Sequence, residues 1–211
     1  MKKNYQFRYG SGTVSLPIEE NQIISVIEGH ETKPLDDIKS ALYQSLDTPI
    51  ESDSLETIAS KAGKIAIIVS DMTRFWMRQD LIVPLIIRYL VDRCGKSYSD
   101  LEIVIATGTH IGGSEEELRT LVTPEVFDKV KTVNHDCRAD DLVYLGTTDY
   151  GTPVKVNKDA AEADLVICLG AATYHVMAGF GGGRKSILPG ISSLETIKHN
   201  HAYSLAPDKF I

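Results

Sequence analysis

Cysteine is scarce in this 211-residue sequence, and long apolar runs are missing. The three cysteines, Cys94, Cys137 and Cys168, are odd in number, widely spaced and outside any CxxC pattern, which argues against a disulfide framework or a zinc finger. Lys2 and Lys3 are followed by polar and aromatic residues rather than a signal peptide's apolar stretch, and no run approaches the ~18 apolar residues of a membrane span. We therefore expect a soluble, cytoplasmic protein that has no membrane partner.

Positive charge is also in short supply, because 22 Lys and Arg residues face 29 Asp and Glu residues and give a formal charge of -7. This balance disfavours nucleic acid as the main partner. Complete nucleotide-binding motifs are missing as well: in GFGGGRKS, at 179–186, Arg184 stands where a Walker A motif and a GxGxxG fingerprint need glycine. An ATPase is therefore disfavoured, while phosphate binding by the glycine-rich backbone and a plain flexible loop both stay open.

From Ser54 onward the sequence alternates between helix and strand signals. Three continuous apolar runs are typical of buried strands: KIAIIVS at 64–70, LEIVIA at 101–106 and ADLVICLG at 163–170. Cap-like residues predict helices after Ser54, after Ser114 with Glu117, and after Ser192 with Glu195. Two more helices are predicted over Met77–Arg93 and Pro124–Val130. Pro84 is expected to kink the first of these two or to move its start.

Weaker signals predict strands over Thr13–Pro17 and Ile23–Ile27, a helix over Asp36–Ser45, a strand at KTVNH and a hairpin of LVYLG with PVKVN. Strands that are apolar on both faces and alternate with helices imply an α/β fold. We therefore predict a mostly parallel, Rossmann-like sheet covered by helices, with a small β-hairpin insertion.

Ionisable residues follow each of the three predicted core strands. KIAIIVS leads into Asp71 and Arg74, LEIVIA into His110, and ADLVICLG into His175. Because ligands of such sheets bind beyond the carboxyl ends of the strands, we expect these side chains to share one crevice. A cap, a loop salt bridge or a structural histidine is the alternative for any one of them.

The stretch YHVMAGFGGGRKSILPG, at 174–190, combines a histidine, a run of small residues and an Arg-Lys pair. The positive charge of Arg184 is expected to lower the pKa of Lys185 and enrich its nucleophilic, neutral amine. His199 and His201 are two residues apart and lie on different faces of a helix, so at most one is expected to point inward. His135, in NHD, is either a ligand or a turn residue.

Six ordered motifs resemble the N-terminal domain of the nickel-dependent lactate racemase catalytic subunit family. They are DMTR at 71–74, TGTH at 107–110, NHD at 134–136, DLVYLGTT at 141–148, HxxxGFGGGRKSxLPG at 175–190 and NH at 200–201. The resemblance implies a nickel-pincer nucleotide cofactor, a pyridinium mononucleotide whose thioacid groups hold nickel, tethered to a lysine through a thioamide. Maturation proteins would supply it, so protein made without them is expected to lack it.

The resemblance also implies a role for each matching residue. Lys185 would be the tether, with Gly182, Gly183 and Arg184 against the cofactor phosphate, and His201 would be the nickel ligand. His110 and His175 would be the acid/base pair, and Arg74, oriented by Asp71, would hold the carboxylate of a small 2-hydroxy acid. The cofactor would accept a hydride while a histidine takes the hydroxyl proton, and the planar 2-keto acid could regain hydride on either face.

The sequence departs from the family pattern at two places, since Phe75 and then Trp76 follow Arg74, and Ile111 follows His110. These departures favour an acid that is bulkier or less charged than lactate. We expect residues 1–211 to form one cofactor-binding domain with 1–53 as a mixed α/β lead-in packed on it. Because the family's second domain is absent, we also expect the chain to be a piece of a longer protein and inactive alone.

Two functions of other classes stay open at this point. One is a non-catalytic module that binds a phosphate or another small ligand. The other is a zinc hydrolase that uses His110, His175 and Asp71.

Overall fold

Residues 1–30, 32–176 and 178–205 are described by the computed structural model. The contacts divide the chain between Asp37 and Ile38 into two units. The first unit carries the antiparallel strands β1 (Lys2–Tyr9) and β2 (Gly12–Glu19), which pair from Lys2 with Glu19 to Tyr9 with Gly12. The strand predicted over Thr13–Pro17 is thus confirmed and extended at both ends, while the role of residues 1–53 as a lead-in stays a prediction.

The strand predicted over Ile23–Ile27 is wrong. A short 3-10 turn, Glu20–Gln22, ends the hairpin, and 23–27 have no strand partner among the described residues. Ile24 and Ile27 are fully exposed. β-branched residues favour strands only where a neighbouring strand satisfies their backbone and covers their side chains.

The second unit contains eight strands and seven α-helices among its described residues. The strands are β3 (Ile65–Ser70), β4 (Leu101–Ala106), β5 (Lys131–Asn134), β6 (Val143–Thr147), β7 (Pro153–Val156), β8 (Leu165–Cys168), β9 (Tyr174–His175) and β10 (Gly179–Phe180). The helices are α1 (Ile38–Asp47), α2 (Leu55–Ala59), α3 (Gln79–Asp92), α4 (Glu115–Val122), α5 (Pro124–Phe127), α6 (Lys158–Ala161) and α7 (Leu194–Ala202). As in other α/β folds, helices and strands mostly alternate along the chain.

Four of these strands form a parallel sheet in the order β5-β4-β3-β8. Alternate residues of β3 enter two different cores: Ile65, Ile67 and Val69 pack with α3 and α4 on one face, and Ala66 and Ile68 pack with α6 on the other. Burial on both faces explains why β3 and β4 are continuous apolar runs rather than alternating ones. The predicted mostly parallel α/β sheet is confirmed, and β6 and β7 form the predicted antiparallel hairpin.

Two helix starts differ from the prediction. The long helix α3 begins at Gln79 rather than Met77, because Arg78 adopts a left-handed conformation (φ 55°) that separates it from a 3-10 helix over Met72–Met77. The N-cap of α7 is Ser193, whose hydroxyl accepts from the Thr196 N–H, and not Ser192. The caps predicted at Ser54 and at Ser114 with Glu117 are confirmed.

Gln79 fixes the end of the central strand to the start of α3. Its side chain is 1% exposed, accepts from the Ser70 N–H at 2.8 Å and donates to the Ser70 carbonyl at 3.1 Å. The residues that leave β3 are therefore held at a defined position. In the described part of the chain, no helix is both long and apolar enough to cross a lipid bilayer.

His135 is a core residue that joins the sheet to the start of α7. It is 2% exposed, and its Nε2 donates to the Ser192 carbonyl at 3.0 Å. Among the described atoms, Nδ1 has no hydrogen-bond partner. Burial lowers the pKa of His135, and the Ser192 carbonyl and Asp136 oppose that shift in part. The ring is thus neutral and structural, and does not line the cleft described below.

Because folding lowers the pKa of His135, the unfolded chain takes up a proton below pH 6.5 that the folded chain resists. Stability is therefore expected to be constant just above pH 6.5 and to fall as the pH drops below it. Urea unfolding between pH 5 and 8 checks this. His135→Gln should flatten that pH dependence, whereas replacing the exposed His30 with Gln should preserve it; equal slopes in all three proteins would contradict the assignment.

Candidate functional site

The carboxyl ends of β4, β3 and β8 lie side by side, because these strands are neighbours and run parallel. A cleft of about 240 Å³ opens at this edge. Five of the residues predicted for the site line it: Arg74, His110, His175, Gly182 and Lys185. The predicted shared crevice therefore forms, as the strand-end rule for parallel sheets leads one to expect.

Asp71 lies beneath the cleft rather than in its wall. The residue is 4% exposed and caps the 3-10 helix, with its Oδ1 accepting from the Thr73 N–H at 3.1 Å and the Thr73 hydroxyl at 2.5 Å. Its Oδ2 contacts Nδ1 of His110 at 2.5 Å. We predicted that Asp71 orients Arg74, and the guanidinium forms an ion pair with Oδ1 at 3.7 Å and donates to the Thr73 hydroxyl at 3.1 Å. Asp71 thus contacts His110 directly, and it contacts Arg74 both through this ion pair and through Thr73.

The two cleft histidines have different hydrogen-bonded tautomers. Nδ1 of His110 donates to the Asp71 carboxylate, which places the lone pair of the neutral ring on Nε2. Nδ1 of His175 instead accepts from the Ala178 N–H at 3.2 Å, which places the proton of its neutral ring on Nε2. Neutral His110 can therefore accept a proton at its Nε2, while neutral His175 can donate a hydrogen bond from its own Nε2–H.

Glycines bring the glycine-rich segment against the end of β8. A Cβ on Gly182 (φ 69°) would lie 2.8 Å from the Ala171 carbonyl oxygen, and a Cβ on Gly170 would lie 2.9 Å from the Gly182 Cα. The Gly108 N–H donates to the Gly190 carbonyl at 2.9 Å, so the loop after β4 is joined to the same segment. Backbones can approach this closely only where side chains are missing.

The 3-10 helix Gly183–Ser186 places Lys185 in the cleft. Burial lowers the pKa of Lys185, and the positive charge of Arg74 lowers it further. We predicted a lowered pKa, but its charged neighbour is Arg74 and not Arg184. A lowered pKa enlarges the fraction of neutral amine, which is the nucleophilic form that a covalent attachment needs.

Arg184 lies on the other side of this segment. It lines a second cavity of about 750 Å³ between the β6–β7 hairpin, the glycine-rich segment and α7. Gly183 and Arg184 do not line the cleft with Lys185, so their predicted place beside the cofactor phosphate stays a prediction.

The two histidines of α7 are placed apart from the cleft. Nδ1 of His199 contacts the Thr152 hydroxyl at 3.2 Å, and its ring packs against Tyr203. Nδ1 of His201 donates to the Ile197 carbonyl at 2.9 Å, which puts the imidazole lone pair on Nε2, as is common in metal-binding histidines. His201 does not line the cleft, and its role as a nickel ligand stays a prediction.

Across 1–30, 32–176 and 178–205, no three His, Cys, Asp or Glu side chains are grouped to hold a metal ion. The zinc site considered for His110, His175 and Asp71 is therefore not formed. A lysine-tethered group that brings its own metal donors fits these residues better, because Lys185 lies in the cleft and the protein then has to add only a single ligand.

Three contributors to the site were not predicted from the sequence. Thr73 bridges Asp71 and Arg74, and Trp76 and Met77 line the cleft. An Asp followed two residues later by Thr is a common turn signal, and it could have indicated the role of Thr73. Trp76 was noted only as a departure from a family pattern.

Known proteins similar to this chain point to one family. A model of the lactate racemase N-terminal domain matches residues 9–210. The lactate racemase of Lactiplantibacillus plantarum is 40% identical over 165 residues, which are 78% of this chain and 38% of that protein. The lactate racemase of Thermoanaerobacterium thermosaccharolyticum is 30% identical over 201 residues, which are 94% of this chain and 46% of that protein.

Solved structures support the same grouping. The apoprotein of the T. thermosaccharolyticum lactate racemase superposes with a TM-score of 0.82 at 29% identity, covering 97% of this chain and 48% of that one. A Thermotoga maritima protein superposes with a TM-score of 0.54 at 22% identity, covering 74% of this chain and 41% of that one, and shares the fold alone. The chain spans less than half the length of each of these relatives.

The Asp71 contact predicts a tautomer change. An Asn at 71 offers an N–H to Nδ1 of His110, so Asp71→Asn should move the proton of the neutral ring from Nδ1 to Nε2. The ¹⁵N chemical shifts of the His110 ring, measured at a pH where the ring is neutral, report this directly. Replacing the exposed Asp36 with Asn is the control; an Nε2–H tautomer in the unsubstituted chain would refute the contact.

The Lys185 environment predicts which arginine controls its reactivity. Arg74→Gln should raise the pKa of Lys185, lower its neutral fraction and slow its acetylation at pH 8, because one of the two causes of the lowered pKa is removed. Arg184→Gln is the matched control and should leave the rate unchanged. Peptide mass spectrometry measures the rate relative to Lys198, and slowing by Arg184→Gln alone would reverse the assignment.

Proposed function

The chain belongs to the lactate racemase family through its N-terminal domain, and on this premise we propose that it is the cofactor-binding part of a racemase or epimerase of 2-hydroxy acids. The observation that carries the proposal is the cleft itself. It brings an arginine, two histidines and a lysine of lowered pKa to one edge of a parallel sheet. This set supplies a carboxylate clamp, two proton-transfer groups and a covalent anchor.

The reaction must remove the hydrogen on C2 of a hydroxy acid from one face and return it to the other. A C–H bond beside a carboxylate is too weakly acidic for an imidazole of pKa near ~6.5 to deprotonate. When bound, the nickel-pincer nucleotide supplies the hydride acceptor that this step requires. The residues of this chain then have to hold the acid and move the proton of its hydroxyl group.

Arg74 holds the substrate carboxylate in this proposal. Its guanidinium is about half exposed at the cleft, and its NH1 is steadied by the Thr73 hydroxyl. A planar guanidinium can bind a carboxylate through two parallel hydrogen bonds, which fixes the orientation of C2 as well as its position.

His110 and His175 handle the hydroxyl proton. Nε2 of His110 accepts it, because Asp71 keeps the ring's proton on Nδ1 and stabilises the imidazolium that forms. Nε2–H of neutral His175 can donate a hydrogen bond to the same oxygen. In the opposite enantiomer the hydroxyl lies differently, and His175 would accept its proton at Nε2 once the ring proton has moved to Nδ1 and the contact with the Ala178 N–H has opened.

Lys185 is the attachment point of the cofactor, and His201 would supply the protein's ligand to its nickel. Attachment through a thioamide consumes a neutral amine, which the lowered pKa of Lys185 favours. The cofactor phosphate would lie beside Gly182, Gly183 and Arg184. Dedicated maturation proteins would be the partners that deliver the cofactor.

Covalent attachment can be tested by mass. The full-length protein, produced together with a cofactor-maturation set and nickel, should carry a nucleotide-sized adduct on Lys185 and should interconvert the enantiomers of a 2-hydroxy acid. Lys185→Ala should lose the adduct and all racemisation, because no other lysine lines the cleft within the described residues.

Intact-mass spectrometry with peptide mapping, followed by chiral chromatography of a 2-hydroxy acid panel, gives both readings. Lys198→Ala, on the exposed surface, is the matched control and should retain adduct and activity. A fully loaded protein that is inert on the whole panel would sink the racemase proposal and leave a small-ligand-binding module.

A further inference from the structure

Arg74, Trp76 and Met77 reach the cleft from one turn of the chain. The 3-10 helix Met72–Met77 is capped by Asp71 at its start and closed by the left-handed Arg78 at its end. Phe75 packs into the core beneath β3, so its neighbours on either side are directed outward. The carboxylate clamp and these two apolar side chains therefore form one fixed unit.

We infer that Trp76 and Met77 form the wall that recognises the substrate's side chain, and that the preferred acid carries an aromatic or large aliphatic group rather than the methyl of lactate. This inference rests on the proposed function and narrows its substrate class. It follows from what the remaining cleft walls contain.

Apart from Pro189, the other walls of the cleft are polar or made of small residues. Ionisable groups line one part, and glycines and alanines such as Gly108, Ala106 and Ala171 line another. Once the carboxylate meets Arg74 and the hydroxyl meets the histidines, the large apolar surfaces left for the third substituent of C2 are Trp76 and Met77. A ring or branched chain would cover them, and a methyl group would leave much of the indole in water.

Trp76 is 62% exposed without such a partner. Indole and thioether groups bind aromatic rings favourably, through stacked or edge contacts and through sulfur. Trp76 lies in the cleft and belongs to the turn that carries Arg74. Its exposed indole is thus a suitable binding surface for an apolar group of the substrate.

Charge argues against an acidic side chain. The cations that line the cleft within the described residues are Arg74 and Lys185, apart from any protonated histidine. Arg74 is taken by the first carboxylate, and a thioamide on Lys185 carries no positive charge. A second carboxylate would be left without a permanent cation, at a cost that an apolar group does not have.

The chain offers its own probe, because Trp76 is its single tryptophan. Titration of the 211-residue chain with 3-phenyllactate should change the indole fluorescence and give a Kd about tenfold lower than that of lactate, as expected for one aromatic contact. Calorimetry on Trp76→Ala should bring the two Kd values within about twofold of each other, and Trp76→Phe should retain most of the preference. Ile111→Ala, an exposed apolar residue outside the cleft lining, is the control and should behave as the unsubstituted chain.

The outcomes separate this inference from the proposed function. Equal Kd values for lactate and phenyllactate would overturn the side-chain wall. Loss of binding of both monocarboxylic acids in Arg74→Gln would still support the carboxylate clamp. Binding of both acids that is unaffected by Arg74→Gln, or no binding of either acid, would overturn the clamp and the wall together.

Discussion

The buried carboxylate of Asp71 is the constraint on which the cleft depends. It lies where the central strand β3 ends, 4% exposed, and a carboxylate in such a place is costly unless charged or polar groups meet it. Thr73 satisfies one oxygen, and His110, 39 residues further along the chain, satisfies the other. This single requirement holds the turn that carries Arg74 and the loop that carries His110 in one arrangement, so the clamp and the base are positioned together.

Backbone approach is the second constraint, and it explains the run of glycines better than ligand binding alone. Gly170 and Gly182 let the glycine-rich segment lie directly against the end of β8, and the Gly108–Gly190 hydrogen bond joins it to the loop after β4. The 3-10 helix with Lys185 is thereby fixed to two of the three strands that frame the cleft. Glycine in these positions serves the placement of the lysine.

The buried strands and the edge where their side chains meet could be predicted, because an apolar run that is covered on both faces has few other solutions and parallel strands share one carboxyl edge. The local pairings of strands and side chains could not be predicted in this way. Ile23–Ile27 has strand-like residues but no partner strand, and which group Asp71 contacts depends on a loop far away in sequence. The neighbours Arg184 and Lys185 diverge because successive side chains of a 3-10 helix point about 120° apart, so adjacency in sequence did not imply proximity of their charges.

Arg74 serves two stages of the proposed function with one charge. Before the cofactor is attached, burial lowers the pKa of Lys185 and the charge of the Arg74 guanidinium lowers it further, which enlarges the fraction of reactive, neutral amine. In the proposed function, attachment would convert that amine into an uncharged thioamide, and the same guanidinium would then face no competing cation in binding the substrate carboxylate. A lysine in place of Arg74 could supply the charge but not the paired hydrogen bonds, and a neutral residue could supply neither. Assembly of the site in this proposal therefore calls for a cation at this position, and binding of the carboxylate calls for arginine in particular.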